Sequence, residues 1–194
     1  RIVHAGGAAT GAEIERALVD EVLATAVACW EEWFALDLLV EEGRCVGVTA
    51  MGPDGAVSPI RARQVLMATG GAGQLFAATT NPLVSTGDGL AMALRAGVPC
   101  ADVEFMQFHP TALFGSSLLL SEALRGAGAL LLDDHGERFT DELAPRDVVA
   151  RAIDARGTVL LDLRPVERAR FAGLMARIEE AGYDPGEEPI PVAP

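Results

Sequence analysis

The chain has 194 residues, 50% of them hydrophobic, and carries 15 Lys and Arg against 28 Asp and Glu, for a formal net charge of −13. Such a hydrophobic share suits a chain with a buried core and argues against disorder. The acidity argues against a nucleic-acid surface, which needs a basic patch.

Residues 1–11 are Gly-rich, with Gly6, Gly7 and Gly11, and read as a loop that brings backbone close to a ligand or strand, or as a plain turn. Ala12 to Ala28 reads as an amphipathic helix. Ile14, Leu18, Val22 and Ala26 recur at helical spacing, and Glu13, Glu15, Asp20 and Glu21 face outward. From about Cys29 to Thr69 the pattern changes to strands, at Phe34 to Val40, Cys45 to Met51 and Gln64 to Thr69. Glu41-Glu42-Gly43-Arg44 and Gly52-Pro53-Asp54-Gly55 are hairpin-type turns. The third expected strand runs into Gly70-Gly71-Ala72-Gly73. A strand ending in a Gly-rich turn is where an α/β sheet binds nucleotides, although the third spaced Gly of the dinucleotide fingerprint is absent.

Thr86-Gly87-Asp88-Gly89 precedes a short helix over Leu90 to Ala96, with Thr86 or Asp88 as its N-cap, and Gly97-Val98-Pro99 ends it. Ala101 to Gln107 reads as a short strand or extended crossing, and a boundary between two structural units is placed there. Beyond it, Leu118 to Leu124 and Ala129 to Leu132 are apolar segments, and 133–138 is a turn whose His135 is solvated. Pro145 to Asp154 reads as a helix with Pro in its first turn, in which Asp147 and Arg151 can pair. Thr158 to Leu163 reads as a strand, Val166 to Ala181 as an amphipathic helix, and Tyr183 to Pro194 as a Pro-rich extended end. Cys29, Cys45 and Cys100 are odd in number and widely spaced, which suggests neither a disulfide framework nor a zinc site but reduced thiols. No uninterrupted apolar run reaches about 18 residues, so no membrane insertion is expected.

The stretch with the most chemistry runs from Glu104 to Asp147. His109, Glu122, Arg125 and Arg146 sit there among apolar neighbours and turn residues, and polar groups in such company are costly unless paired or used. The mostly cationic set suits a small dianion, because Arg matches carboxylates in a bidentate fork. His109, before Pro110, is held extended; it is a structural hydrogen bonder or an anion donor, and no second His or Cys stands at metal-ligand spacing. Glu122 and Arg125 are three apart and share a helix face, if only as an ordinary ion pair, with Ser121 placed to cap. Arg146 lies in the first turn of its helix, where the macrodipole disfavours a cation, so an anion is expected nearby, either Glu122 or a substrate carboxylate.

Phe105-Met106-Gln107-Phe108-His109-Pro110-Thr111-Ala112-Leu113, Ser121-Glu122-Ala123-Leu124-Arg125-Gly126 and Glu142-Leu143-Ala144-Pro145-Arg146-Asp147, in this order, resemble the L-aspartate oxidase branch of the succinate dehydrogenase and fumarate reductase flavoprotein family. His4-Ala5-Gly6-Gly7, Ala68-Thr69-Gly70-Gly71-Ala72-Gly73, Thr79-Thr80-Asn81-Pro82 and Thr86-Gly87-Asp88-Gly89 match it too. The chain departs from the usual pattern at Ala8, where the family has Asp, and at Ala127, where it has Glu.

The resemblance implies an α/β fold. An incomplete Rossmann-like FAD-binding domain over residues 1–101 would be followed by part of an α+β capping domain over residues 102–194, the whole an interior fragment with the dinucleotide fingerprint upstream. It implies FAD as cofactor, with Thr69, Gly70, Gly71 and Asp88 at the cofactor. It also implies His109, Ser121 and Arg146 on the substrate carboxylates, and Arg146, Glu122 and Arg125 as the catalytic, proton-handling chain. For Arg146 an electrostatic clamp is the safer role, given an Arg pKa above about 12. The activity implied is oxidation of L-aspartate to iminoaspartate, with oxygen or fumarate re-oxidising the flavin. The product would feed quinolinate and NAD synthesis in the cytoplasm, a functional link to quinolinate synthase. The alternatives are a succinate dehydrogenase or fumarate reductase subunit working with an iron–sulfur partner, and a non-catalytic dicarboxylate-binding module.

Overall fold

The structure, a computed structural model, describes residues 10–194. The Gly-rich motif before Thr10 and Ala8 lie outside the described residues. Two compact units are present, Thr25–Met106 and Gln107–Pro194, the latter grouped with the N-terminal helix α1 (Thr10–Leu23). Helix and sheet are mixed in both, the α/β class that the sequence suggests.

α1 starts two residues before the expected helix and ends five before it, and none of its residues is buried. Its apolar stripe faces out, with Ile14 56%, Leu18 62% and Val22 40% exposed.

The first unit is built on a three-stranded antiparallel sheet, β1 (Phe34–Glu41), β2 (Arg44–Met51) and β3 (Val57–Arg61), in that order. The β1–β2 turn has Glu42 at φ 51° and Gly43 at φ 75°, the left-handed pair of a type I′ hairpin, whose twist matches that of the strands. At 52–55 the Gly55 N–H donates to Gly52 O at 2.9 Å and returns the chain into β3. This overturns the third strand expected at Gln64 to Thr69. The returning hairpin pairs Val57 with Met51 and Arg61 with Gly47, while 64–69 has no described strand beside it and forms no regular element. The apolar run there resembles a buried strand in composition only; Leu66 is 92% exposed. Pro59 suits β3 because β3 is an edge strand. A further helix, α2 (Asp88–Arg95), lies against β1, tied by Arg95 Nε to Asp37 Oδ1 at 2.7 Å.

Ala101 to Gln107 is a turn rather than a strand. Asp102 takes φ 60°, and Phe105 N–H donates to Asp102 O.

The second unit has a four-stranded antiparallel sheet in the order β4 (Ala112–Leu113), β7 (Ile190–Ala193), β6 (Val159–Asp162), β5 (Leu130–Leu132). Ile190 and Val192 alternate with half-buried Pro191 and Ala193, so the Pro-rich end is a strand. Helices α3 (Glu122–Gly126), α4 (Arg146–Asp154) and α5 (Ala172–Glu180) belong to this unit. Their apolar residues share one core with the strands: Leu124, Val149, Ile153 and Ile178 join Leu131, Leu161 and Ile190, each at most 1% exposed. Burial of each such side chain contributes about 1.5–3 kcal/mol. The single helix expected over Val166 to Ala181 is a 3-10 turn, Arg168–Phe171, followed by α5. Pro145 sits one position before the helical turn expected of it. It is the N-cap, with ψ 142°, and Arg146 is the first helical residue.

Candidate functional site

The polar residues of the second unit converge where α3 and α4 begin. Thr111 anchors the approach. It is fully buried; its Oγ1 donates to Leu120 O at 2.7 Å and the Leu120 N–H donates to Thr111 O at 3.0 Å. Those bonds tie the His109-Pro110 segment to the residue that immediately precedes Ser121.

His109 Nδ1 stands 3.2 Å from both the Thr111 N–H and the Thr111 carbonyl oxygen: in one tautomer it accepts from the first and Nε2 carries the proton, in the other it donates to the second. Burial, then the Arg125 and Arg146 charges, hold the His109 pKa below its ordinary value, against the Thr111 and Glu122 contributions. His109 is therefore neutral near neutral pH, and in the tautomer that accepts the Thr111 N–H its Nε2 is a donor.

Arg146 Nε donates to Glu122 Oε2 at 3.1 Å and Nη1 donates to Gln107 Oε1 at 3.1 Å. The anion expected beside this cation is Glu122. Its carboxylate offsets the unfavourable helix-start position. The Arg146 hydrogen bond, opposed by burial and helped by the Arg125 charge, holds the Glu122 carboxyl below its usual range. Arg125 Nη2 stands 3.9 Å from the same Oε2, although Arg125 is 1% exposed and Glu122 50%. Burial lowers the Arg125 pKa and the Glu122 charge opposes that. Arg125 Nη1 donates to the Glu142 backbone carbonyl. Ser121 occupies the N-cap position with ψ 154°, but its hydroxyl makes no capping bond, so the expected cap is one of position only. Ala127, where the resembled family has Glu, packs half-buried against the core.

His109, Glu122, Arg125 and Arg146 thus form one electrostatically coupled group. Sequence reasoning missed three residues in it. Gln107 and Thr111 lie within the quoted motif, and their signal was their place beside His109. Glu142 was quoted without a role; a carboxylate three residues before the Pro145 N-cap carries no local sign that it is buried.

In the first unit the residues expected at the cofactor also gather. The Gly87 N–H donates to Gly71 O at 3.2 Å, bringing the 69–73 turn to the start of α2. A Cβ on Gly89 would stand 1.8 Å from Thr69 Oγ1, so only glycine allows that approach. Neither Thr86 nor Asp88 caps the helix. Gly87 does, at φ 79°, and Thr86 Oγ1 donates instead to Asp88 Oδ2 at 2.6 Å. Gly70 and Gly71 are exposed and side-chain-free, with nothing within 4 Å of an added Cβ. A bare, exposed Gly edge beside a helix start fits one flank of an anionic cofactor such as FAD.

The FAD binding domain family is matched over residues 1–181. The chain is 49% identical to an L-aspartate oxidase of Streptomyces coelicolor and 46% identical to one of Mycobacterium bovis, over 100% of its length in both. It spans only 38% and 40% of those two relatives. Among solved structures, an E. coli quinol fumarate reductase FrdA mutant is 35% identical, with a TM-score of 0.85 over 95% of this chain and 38% of that one.

Proposed function

The chain belongs to the FAD binding domain family, and from that premise we propose that, within a protein of its relatives' length, it serves the FAD-dependent oxidation of L-aspartate to iminoaspartate. FAD, when bound, supplies the redox chemistry and takes up the two electrons. Thr69, Gly70, Gly71 and Asp88 are the residues of this chain that would hold it on one flank.

The observation that carries the reading is the Arg146–Glu122–Arg125 chain beside a neutral His109. Arg146 clamps a substrate carboxylate in a bidentate fork, with Glu122 and Gln107 setting its plane. His109 Nε2 and the uncapped Ser121 hydroxyl donate to a substrate carboxylate. The proton released as the carbon–nitrogen bond is oxidised leaves through the Arg146–Glu122–Arg125 group, in which Glu122 is the carboxylate that can take it up and the two guanidiniums stabilise the charge. Residues 1–101 then act as part of the FAD-binding domain and residues 102–194 as part of the capping domain.

The product feeds quinolinate and NAD synthesis, which links the protein to quinolinate synthase, in the cytoplasm. No described helix is long and apolar enough to cross a membrane. The second reading, a succinate dehydrogenase or fumarate reductase subunit, is favoured by the likeness to the fumarate reductase structure; the higher identities to L-aspartate oxidases weigh against it. Turnover of L-aspartate against succinate by the full-length holoprotein separates them. Faster oxidation of succinate than of L-aspartate would sink the proposal.

A further inference from the structure

Glu142 is a buried carboxylate that the reading above leaves without a task. Its side chain is 6% exposed. It accepts the Leu131 N–H at 3.0 Å and Arg138 Nε and Nη2 at 3.1 and 2.6 Å. Burial raises its pKa, but the Arg138 and Leu131 hydrogen bonds outweigh that and hold it below the usual carboxylate range. The group stays ionised and is no proton relay.

Its backbone is what reaches the site. The Glu142 carbonyl accepts Arg125 Nη1, while Arg125 Nε and Nη2 have no hydrogen-bond partner among the described residues. A buried guanidinium with five donors is held in place by what it bonds, and here that is one carbonyl and the 3.9 Å approach to Glu122. Three residues further on, Pro145 caps α4 and Arg146 opens it.

We propose that Glu142 is a positioning residue: its carboxylate, clamped between the β5 backbone and Arg138, fixes the segment that aims one carbonyl at Arg125 and sets where Arg146 begins its helix. It touches no substrate. It keeps both ends of the Arg125–Glu122–Arg146 chain at their working separation, and it rests on the dicarboxylate oxidation proposed above.

The test uses the full-length holoprotein with Glu142→Gln, Arg138→Gln, Arg125→Lys and the Glu142→Gln/Arg125→Lys double variant. Gln keeps an acceptor for Leu131 and loses the ion pair. In Glu142→Gln, kcat per bound flavin falls about 10- to 100-fold, the scale of a small misplacement of catalytic groups, with KM for L-aspartate unchanged. Arg138→Gln, at a residue 56% exposed, moves kcat the same way by less. Adding Glu142→Gln to Arg125→Lys costs little more, because Glu142 acts through Arg125.

An unchanged kcat in Glu142→Gln, or full additivity with Arg125→Lys, overturns the proposal. If Glu142→Gln fails to retain FAD, Arg138→Gln decides: its unchanged kcat overturns the proposal and its lowered kcat at constant KM supports it. A wild type that oxidises succinate instead of L-aspartate sinks only the substrate assignment, and the same split is then read on succinate. A wild type inert towards every dicarboxylate overturns both.

Discussion

Arg146 shows how one side chain can order its surroundings and still stand at the centre of a candidate site. It stands first in α4, where the helix dipole works against it, and Glu122 and Gln107 compensate from outside the helix. Lys at this position keeps the charge but loses the planar fork, so it cannot hold Glu122 and Gln107 and still present a pair of donors to a carboxylate. We expect Arg146→Lys in the full-length holoprotein to lower kcat at least about 100-fold, the scale of losing a positioned charge stabiliser, with the visible flavin spectrum unchanged. Near-full activity would make Arg146 a structural residue only. His109 carries a second expectation. Losing a hydrogen bond to a charged group costs about 1.5–3 kcal/mol, so His109→Ala should weaken inhibition by succinate by that amount; an unchanged inhibition constant would place the dicarboxylate elsewhere. The folded pKa of His109 lies below its ordinary value of 6.5. The stability tied to its neutral form is therefore present above pH 6.5 and is lost as pH falls through the lower, folded value. An imidazole resonance titrating above 6.5 would contradict that.

Elements are set by their ends as much as by their faces. α2 begins one residue after a left-handed Gly87 and two residues before the apolar run that first suggests a helix. Its start is decided by the Gly87-to-Gly71 bond and by the approach of Thr69 to Gly89. Gly89→Ala places a methyl carbon 1.8 Å from Thr69 Oγ1, so the 69–73 turn must move. Overpacking of this kind costs about 1–3 kcal/mol. The expected result is a lower thermal midpoint and, in the holoprotein, faster loss of FAD on dilution. A variant with the wild-type midpoint and flavin retention would show that this approach is not needed. In the second unit, β4 is two residues long and is held by its neighbours: Leu113 N–H donates to Leu118 O, and Phe114 N–H donates to Pro191 O. A strand so short has no propensity of its own, yet it follows directly on Thr111 and so fixes the His109 segment.

At the scale of the molecule, the chain spans about two fifths of the relatives it matches. The Gly-x-Gly-x-x-Gly strand–turn–helix that holds a dinucleotide pyrophosphate is absent from its 194 residues. The 69–89 cradle is proposed as one flank only, and one flank cannot enclose a cofactor of that size. We expect the 194-residue chain alone to retain no FAD after free cofactor is removed, and to form no peroxide from L-aspartate. A stoichiometric flavin band would show that these residues suffice for binding.

Much of the site was legible because its chemistry is local. His109 before Pro110, Glu122 three residues before Arg125, and Arg146 beside a helix-starting Pro are short-range patterns, and the Asp147–Arg151 pair forms at 2.5 Å as its i,i+4 spacing predicts. The hairpin turn at Glu42-Gly43 and the helix α4 were readable for the same reason: the φ preferences of Gly and Pro and an i,i+4 charge pair act within one turn. Gln64 to Thr69 failed because an apolar run becomes a strand only beside another strand, and here the paired edge went to Val57–Arg61. Which anion answers Arg146, which carbonyl holds Arg125 and why Glu142 is buried are questions of separations of 24, 17 and 11 residues. Those contacts exist only once the β4-β7-β6-β5 sheet closes the distance, because a side chain's partner across a fold is chosen by packing and not by its neighbours in sequence.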